Sequence, residues 1–149
     1  MLTETLNSLF ERDLNQLRSE IEAYEKEQYL WKTDKQIANS AGNLTLHIIG
    51  NLNWFVGAQL GNTGYVRNRT AEFTLTNIPK SELLTALEST KIMVRETLEK
   101  LTSEQLEMDY PIDVFKQNMT TSYFLVHLTT HLAYHLGQVN YHRRLLEEA

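Results

Sequence analysis

Five histidines carry most of the chemistry written into this chain of 149 residues: His47, His127, His131, His135 and His142. The last four share one segment. At the helical advance of about 100° per residue, with His127 at zero, His131 falls at about 40°, His142 at about 60° and His135 at about 80°. The apolar residues Phe124, Leu128, Val139 and Leu145 occupy the same sector. The stripe is therefore predicted to face a core. One core-facing histidine is usually just hydrogen-bonded, but four together cost several kcal/mol unless partnered. A metal ion is a partner that takes several at once. Histidines at i, i+4 point the same way one turn apart and can share an ion. His127/His131 and His131/His135 both have that spacing. It does not choose between them, and His131 is common to both. A third ligand is expected from a facing helix, where His47 is the remaining histidine.

The neighbours of His47 at i−7, i−4, i+4 and i+7 are Ser40, Asn43, Asn51 and Trp54. A polar ladder in an otherwise apolar segment has two readings. It either fixes packing by interhelical hydrogen bonds or lines a polar shell and substrate cavity. Further on, Tyr65–Phe73 carries Arg67, Arg69 and Glu72 between two aromatics. These charges either rim a pocket and hold an anionic substrate group, or form a solvated loop with a local Arg–Glu pair. The terminal HRRLLEE reads as a solvated end.

Four helical segments must position these residues. The first runs from about Leu2 to Gln28, with Leu6, Leu9, Phe10, Leu14, Leu17, Ile21 and Tyr24 recurring every three or four residues. The second, about Ala38 to Leu60, is apolar almost all round and so central. Its glycines at 42, 50 and 57 each cost about 1 kcal/mol against alanine in a helix. They fall within about 80° of one another. The preferred reading is that they let a neighbouring helix approach closely; the other is that they clear room for a ligand. The third segment runs from Pro79 to Leu101 and the fourth from Thr120 to Glu148, the latter with Phe124, Leu128, Val139, Leu145 and Leu146 on one face. Phe-Thr-Leu-Thr at 73–76 suggests a short extended piece. The fold class is all-α, a four-helix bundle in one domain over 1–149, with long connections between helices 2–3 and 3–4. Such connections permit a crossover topology.

Composition narrows the function classes. Fourteen basic against nineteen acidic residues give a net charge of −5, which argues against general nucleic-acid binding. No apolar run approaches the roughly 20 residues of a membrane span. The N-terminus has acids where a signal peptide has a basic start, so a cytoplasmic location is expected. Cysteine is absent, which removes disulfides, iron–sulfur clusters, thiolate zinc sites and a cysteine nucleophile. Any thiol must arrive with a substrate.

Here the residues meet a family. NSAGNLTLHIIGNLNWFVGAQLG, YVRNRTAEF and HLTTHLAYHLGQVNYHRRL together resemble the DinB/YfiT-like superfamily of metal-binding four-helix bundles. The first two blocks resemble a subfamily of unknown function within it. The His-x3-His-x-Gly-Gln pattern at 131–138 is part of the likeness, which spans nearly the whole chain. The resemblance implies metal ligands at His47, His131 and His135, with His127 a near neighbour and His142 a further turn down and not a ligand. It also implies a homodimer. Many relatives carry a basic residue where this chain has Leu136. Characterised relatives include transferases that use small cellular thiols and proteins proposed as metal-dependent hydrolases.

The expected cofactor is one zinc or nickel ion, an open three-histidine site with occupancy falling as pH drops through the histidine range near ~6.5. The expected reaction is transfer of a low-molecular-weight thiol to a small electrophile, with His127 the candidate catalytic base and Asn43, Asn51, Trp54, Arg67 and Arg69 the candidate substrate contacts. A thiolate needs no separate base, and no buried carboxylate partner is evident. The alternatives are a metal-dependent hydrolase, a non-catalytic metal-binding stress protein, and a bundle whose histidines only pack.

Overall fold

The computed structural model describes residues 1–147. Helix α1 (Leu2–Ala23) buries Leu6, Phe10, Leu14, Leu17 and Ile21. It stops short of the expected Gln28 because Tyr24 turns extended and buries its ring completely. A 3-10 turn follows over Glu27–Trp31.

Helix α2 (Ala41–Leu52) begins after the expected Ala38, because Ser40 takes the N-cap and its Oγ accepts from the Asn43 amide at 3.1 Å. The helix continues as a π-helical stretch over Asn53–Ala58 and a last turn, α3 (Gln59–Gly61). The widening begins where Asn53 Nδ2 donates to Ile49 O at 2.8 Å and to Thr90 Oγ1 at 2.9 Å, a side chain inserted into the ladder. Asn62, left-handed at φ 51°, ends it.

The connection that follows carries α4 (Arg69–Thr74), so the extended piece expected at Phe-Thr-Leu-Thr is helical through Thr74. Asn68 starts that helix by accepting from the Ala71 amide at 3.1 Å, and Thr74 Oγ1 closes onto Thr70 O at 3.0 Å. Pro79 is the N-cap of α5 (Lys80–Glu99). A capping box of Thr102 and Gln105 sets α6 (Ser103–Glu107). Thr120 caps α7 (Thr121–Leu146). The expected helix end at Glu148 lies outside the described residues.

The four long helices are those expected. Helices α1 and α2 each pack on α5 and α7, so α1 and α2 face each other across the diagonal. Directions follow from the contacts. Asn53 meets Thr90, while added Cβ atoms at Gly57 and Gly61 would meet Met93 and Thr97, so α2 and α5 run parallel. Phe55 meets Phe124 while His47, two turns earlier, meets His131 and His135, so α2 and α7 run antiparallel. Helix α1 opposes α5, with Arg18 on Glu88 and Lys91 on Asn15. The topology is thus up-down-down-up, a crossover bundle. The long connections expected between the second, third and fourth helices are present, and a third one, 24–40, crosses the diagonal.

Two expectations about faces are corrected. Leu145 is 69% exposed, because α7 turns Leu146 rather than Leu145 inward at its last turn. The glycines mainly clear room for side chains, not for a helix. A Cβ on Gly42 would come within 2.6 Å of the Trp31 indole, and one on Gly50 would overlap the Glu72 carboxylate. Of the three, Gly57 alone faces a long helix, through Met93 Sδ at 3.1 Å.

Candidate metal centre

The bundle brings His47 of α2 against His131 and His135 of α7. Nε2 of His131 lies 3.1 Å from Nε2 of His47 and 3.1 Å from Nε2 of His135. The three potential ligand atoms are all within 4.8 Å of one another. Three nitrogens on a tetrahedral zinc at 2.0–2.1 Å stand about 3.3 Å apart, so the spacing fits the ion.

The far sides of the rings set the tautomers. His47 Nδ1 is 3.0 Å from Glu72 Oε1 and His135 Nδ1 is 2.7 Å from Gln138 Oε1. Both oxygens accept, so each Nδ1 carries the proton and each Nε2 presents a lone pair. Lone pairs converging at this range repel unless an electron-pair acceptor sits among them. The donor set therefore fits a divalent cation, with the outer-shell oxygens such ligands take. Among the described residues, two buried polar atoms in this region have no protein partner: His131 Nδ1 and Asn51 Oδ1.

Glu72, which the sequence offers as a rim charge or half of a solvated Arg–Glu pair, is instead the buried carboxylate against His47 that no spacing makes evident. It is 6% exposed, held by Arg67 through Nε to Oε2 at 2.9 Å and Nη2 to Oε1 at 3.0 Å. The Arg67 guanidinium lies over the Phe55 ring at 5.6 Å, which the π stretch aims toward the crossover. Gly50 supplies the gap. A glycine in the middle of α2 is the signal in the sequence that could have suggested a group seated against it, although it does not say which one.

Two substrate expectations change accordingly. Arg67 is not a free rim charge, since it is half-buried and paired with Glu72. Asn43 is not free either: Nδ2 donates to Glu72 O at 2.9 Å and Leu75 O at 2.8 Å, and Oδ1 accepts from Ser40 Oγ at 2.7 Å. It ties the crossover to α2, the packing reading of the ladder. Glu72 and Arg67 do form a local Arg–Glu pair, but one whose carboxylate is buried and whose guanidinium is half-buried, not a solvated one. Arg69 is exposed, its guanidinium 5.6 Å from the Phe73 ring, and Phe73 in turn lies 4.9 Å from the His47 ring. Asn51 is buried one turn beyond His47, and Trp54 is half-buried in the π stretch.

His127 is half-buried one turn before His131, stacked on Phe124 with ring centroids 5.8 Å apart and 6.5 Å from the His131 ring. His142 stands apart as structure. Its Nε2 donates to Lys32 O at 2.7 Å, and its Nδ1 accepts from Tyr24 Oη at 2.6 Å. His142→Ala strands both partners and is expected to cost about 3 kcal/mol, a melting point lower by about 10 °C. Metal content should be unchanged; a loss of metal on atomic absorption would contradict the structural role.

Burial pushes the His131 imidazole down to about 3, and the neighbouring His135 and His47 charges add to it. His47 and His135 are also lowered, again chiefly by burial, against hydrogen bonds to Glu72 and Gln138 that act the other way. An unfolded histidine titrates near ~6.5, so below that pH the unfolded chain binds more protons than the native one. The stability these groups contribute is whole above about pH 6.5 and is lost as pH falls from there toward the lowered native values. Weak proton affinity also moves metal release below the ~6.5 expected of ordinary histidines. Dialysis at stepped pH is expected to show metal retained at about pH 6 and released in more acidic buffer.

No described helix is long and apolar enough to cross a membrane. No curated protein matches the chain. In structure it is similar to a DinB-like protein, YjoA, from Bacillus subtilis, with a TM-score of 0.71 and 22% identity over 97% of this chain and 93% of that one. Residues 2–149 match a family described as Protein of unknown function (DUF1572). A crossover bundle of this likeness, matched to that family almost from end to end, identifies the chain as a member of the DUF1572 family with a DinB-like fold.

Proposed function

We propose that His47, His131 and His135 hold one divalent transition metal, zinc or nickel, and that the centre serves transfer of a small thiol to an electrophilic molecule. The observation that carries this reading is the convergence of three Nε2 atoms, two with their Nδ1 protons fixed by Glu72 and Gln138. When bound, such a cation supplies Lewis-acid chemistry at an open position, lowering the pKa of a coordinated thiol or water. The chain's own residues do the rest. Glu72 and Gln138 orient the imidazoles, and Arg67 keeps Glu72 in place. Asn51, with its Oδ1 uncommitted, and exposed Arg69 are the polar groups left for a substrate, with half-buried Trp54 three residues beyond Asn51 in the π stretch.

A thiol is favoured over water because the acid in contact with the triad has both oxygens engaged and cannot act as base. The reducing cytoplasm keeps such a cosubstrate free. A hydrolase would rely on His127, one turn from His131 and aligned with it. The homodimer belongs to the same proposal: α7 presents Tyr123, Val126 and Tyr134 to solvent, apolar surface that a second copy would cover.

The test offers metal-loaded protein a panel of electrophiles with and without glutathione or bacillithiol. Thiol-dependent product supports transfer. Product without thiol, lost in His127→Ala with metal retained, supports hydrolysis instead. Tightly held metal with no turnover of any pair would leave a metal-binding protein. Sedimentation as a monomer at tens of micromolar would remove the dimer.

A further inference from the structure

We infer that a cavity beside His135 binds an uncharged small molecule with an apolar body; as the electrophile's site, though not as a binding site, it rests on the metal-centre reading above. The cavity, of about 410 Å³, lies between the stretch 36–39 ahead of α2 and the C-terminal half of α7. Pockets for small ligands run from about 300 to 1,000 Å³. His135 forms part of the wall, and so does Gln138, which holds His135 Nδ1. The space therefore borders the triad. A larger cavity, about 640 Å³, lies between the end of α3 and α5 and touches none of the three histidines.

The lining states the ligand's chemistry. Ile37, Leu44, Tyr141 and Leu145 give an apolar surface. Tyr141 and Leu145 are 62% and 69% exposed, large apolar side chains left in water at the mouth. Among the described residues no Lys, Arg, Asp or Glu lines the cavity. An anion entering would lose hydration and meet no cation in the wall itself; the Arg144 guanidinium lies 5.2 Å over the Tyr141 ring and is not part of the lining. A neutral polar group would find the side-chain amides of Asn39 and Gln138. Arg69, by contrast, approaches the triad through Phe73 and His47. A charged cosubstrate and a neutral one thus have separate approaches to the same centre.

The probes are 3-phenylpropanamide and 3-phenylpropanoate, alike in size and shape and different in charge. Each is titrated calorimetrically into zinc-loaded and chelator-stripped protein. The amide is expected to bind both forms. In the stripped form, where no metal can take the carboxylate, the acid should bind at least about tenfold more weakly, 1.4 kcal/mol. Ala38→Trp, an exposed position on the cavity wall, should abolish amide binding with melting point and zinc content unchanged. Failure of the amide to bind either form, equal binding of the acid to stripped protein, or undiminished amide binding by Ala38→Trp would each overturn the proposal. If the amide binds and Ala38→Trp blocks it while the wild-type chain holds no metal, the cavity's role stands and the metal reading falls.

Discussion

His131→Ala is expected to empty the metal centre. Its Nε2 is the atom within 3.1 Å of both other ligands, and it belongs to either i, i+4 pair. The protein purified without chelator should carry no metal, and added zinc should no longer raise the melting point. For the wild type, free zinc at a hundred times Kd stabilises by about 2.7 kcal/mol, or roughly 5–10 °C in a domain this size. His135→Ala should behave the same way, whereas His127→Ala should bind normally. Metal lost by His127→Ala and kept by His135→Ala would mean that the other pair is the ligand pair.

Gly50→Ala should be nearly as damaging, although no side chain of the triad changes. On helix propensity alone alanine is better by about 1 kcal/mol. Here its Cβ would overlap the Glu72 carboxylate. Eviction of that group takes the acceptor from His47 Nδ1, and loss of such an outer-shell partner costs about 10–100-fold in metal affinity. It also leaves the half-buried Arg67 guanidinium without its counter-ion, which lowers the melting point further. Competition with a chromogenic chelator measures the first effect and thermal melting the second. Glu72→Gln keeps the shape and one acceptor oxygen, so it should fall between wild type and Gly50→Ala. Unchanged affinity and melting point in Gly50→Ala would show that Glu72 does not occupy the gap.

The two predictions also mark where the sequence is legible. The 3.6-residue period revealed the long helices and the core-facing histidine stripe, because each is a local pattern on one helix; it left two i, i+4 pairs open, and the resemblance implied the set His47, His131 and His135 that the fold brings together. Glu72 has no such pattern. It reaches His47 only because a connection between parallel helices must travel back along the bundle, and no spacing in the chain encodes that path. The ladder around His47 divides for a similar reason. Ser40 is a helix cap and Asn43 a tie to the crossover, roles fixed by where α2 begins and where the connection passes. Only Asn51 keeps an unspent oxygen. The end of α1 at Tyr24 was hidden because its partner, His142, lies 118 residues away.

The up-down-down-up order has a consequence for synthesis. Helix α1 is made first of the four, yet its apolar stripe is covered by α5 and α7 and not by the helix that follows it. His47 likewise waits for ligands 84 residues downstream or more. Contacts of long sequence separation form slowly, and a partly made chain displays unburied apolar surface. A nascent chain ending before α7 thus lacks both half the cover of its first helix and two-thirds of its histidine triad. Closure of the bundle and completion of the centre therefore wait on the same element and fall together, when α7 leaves the ribosome.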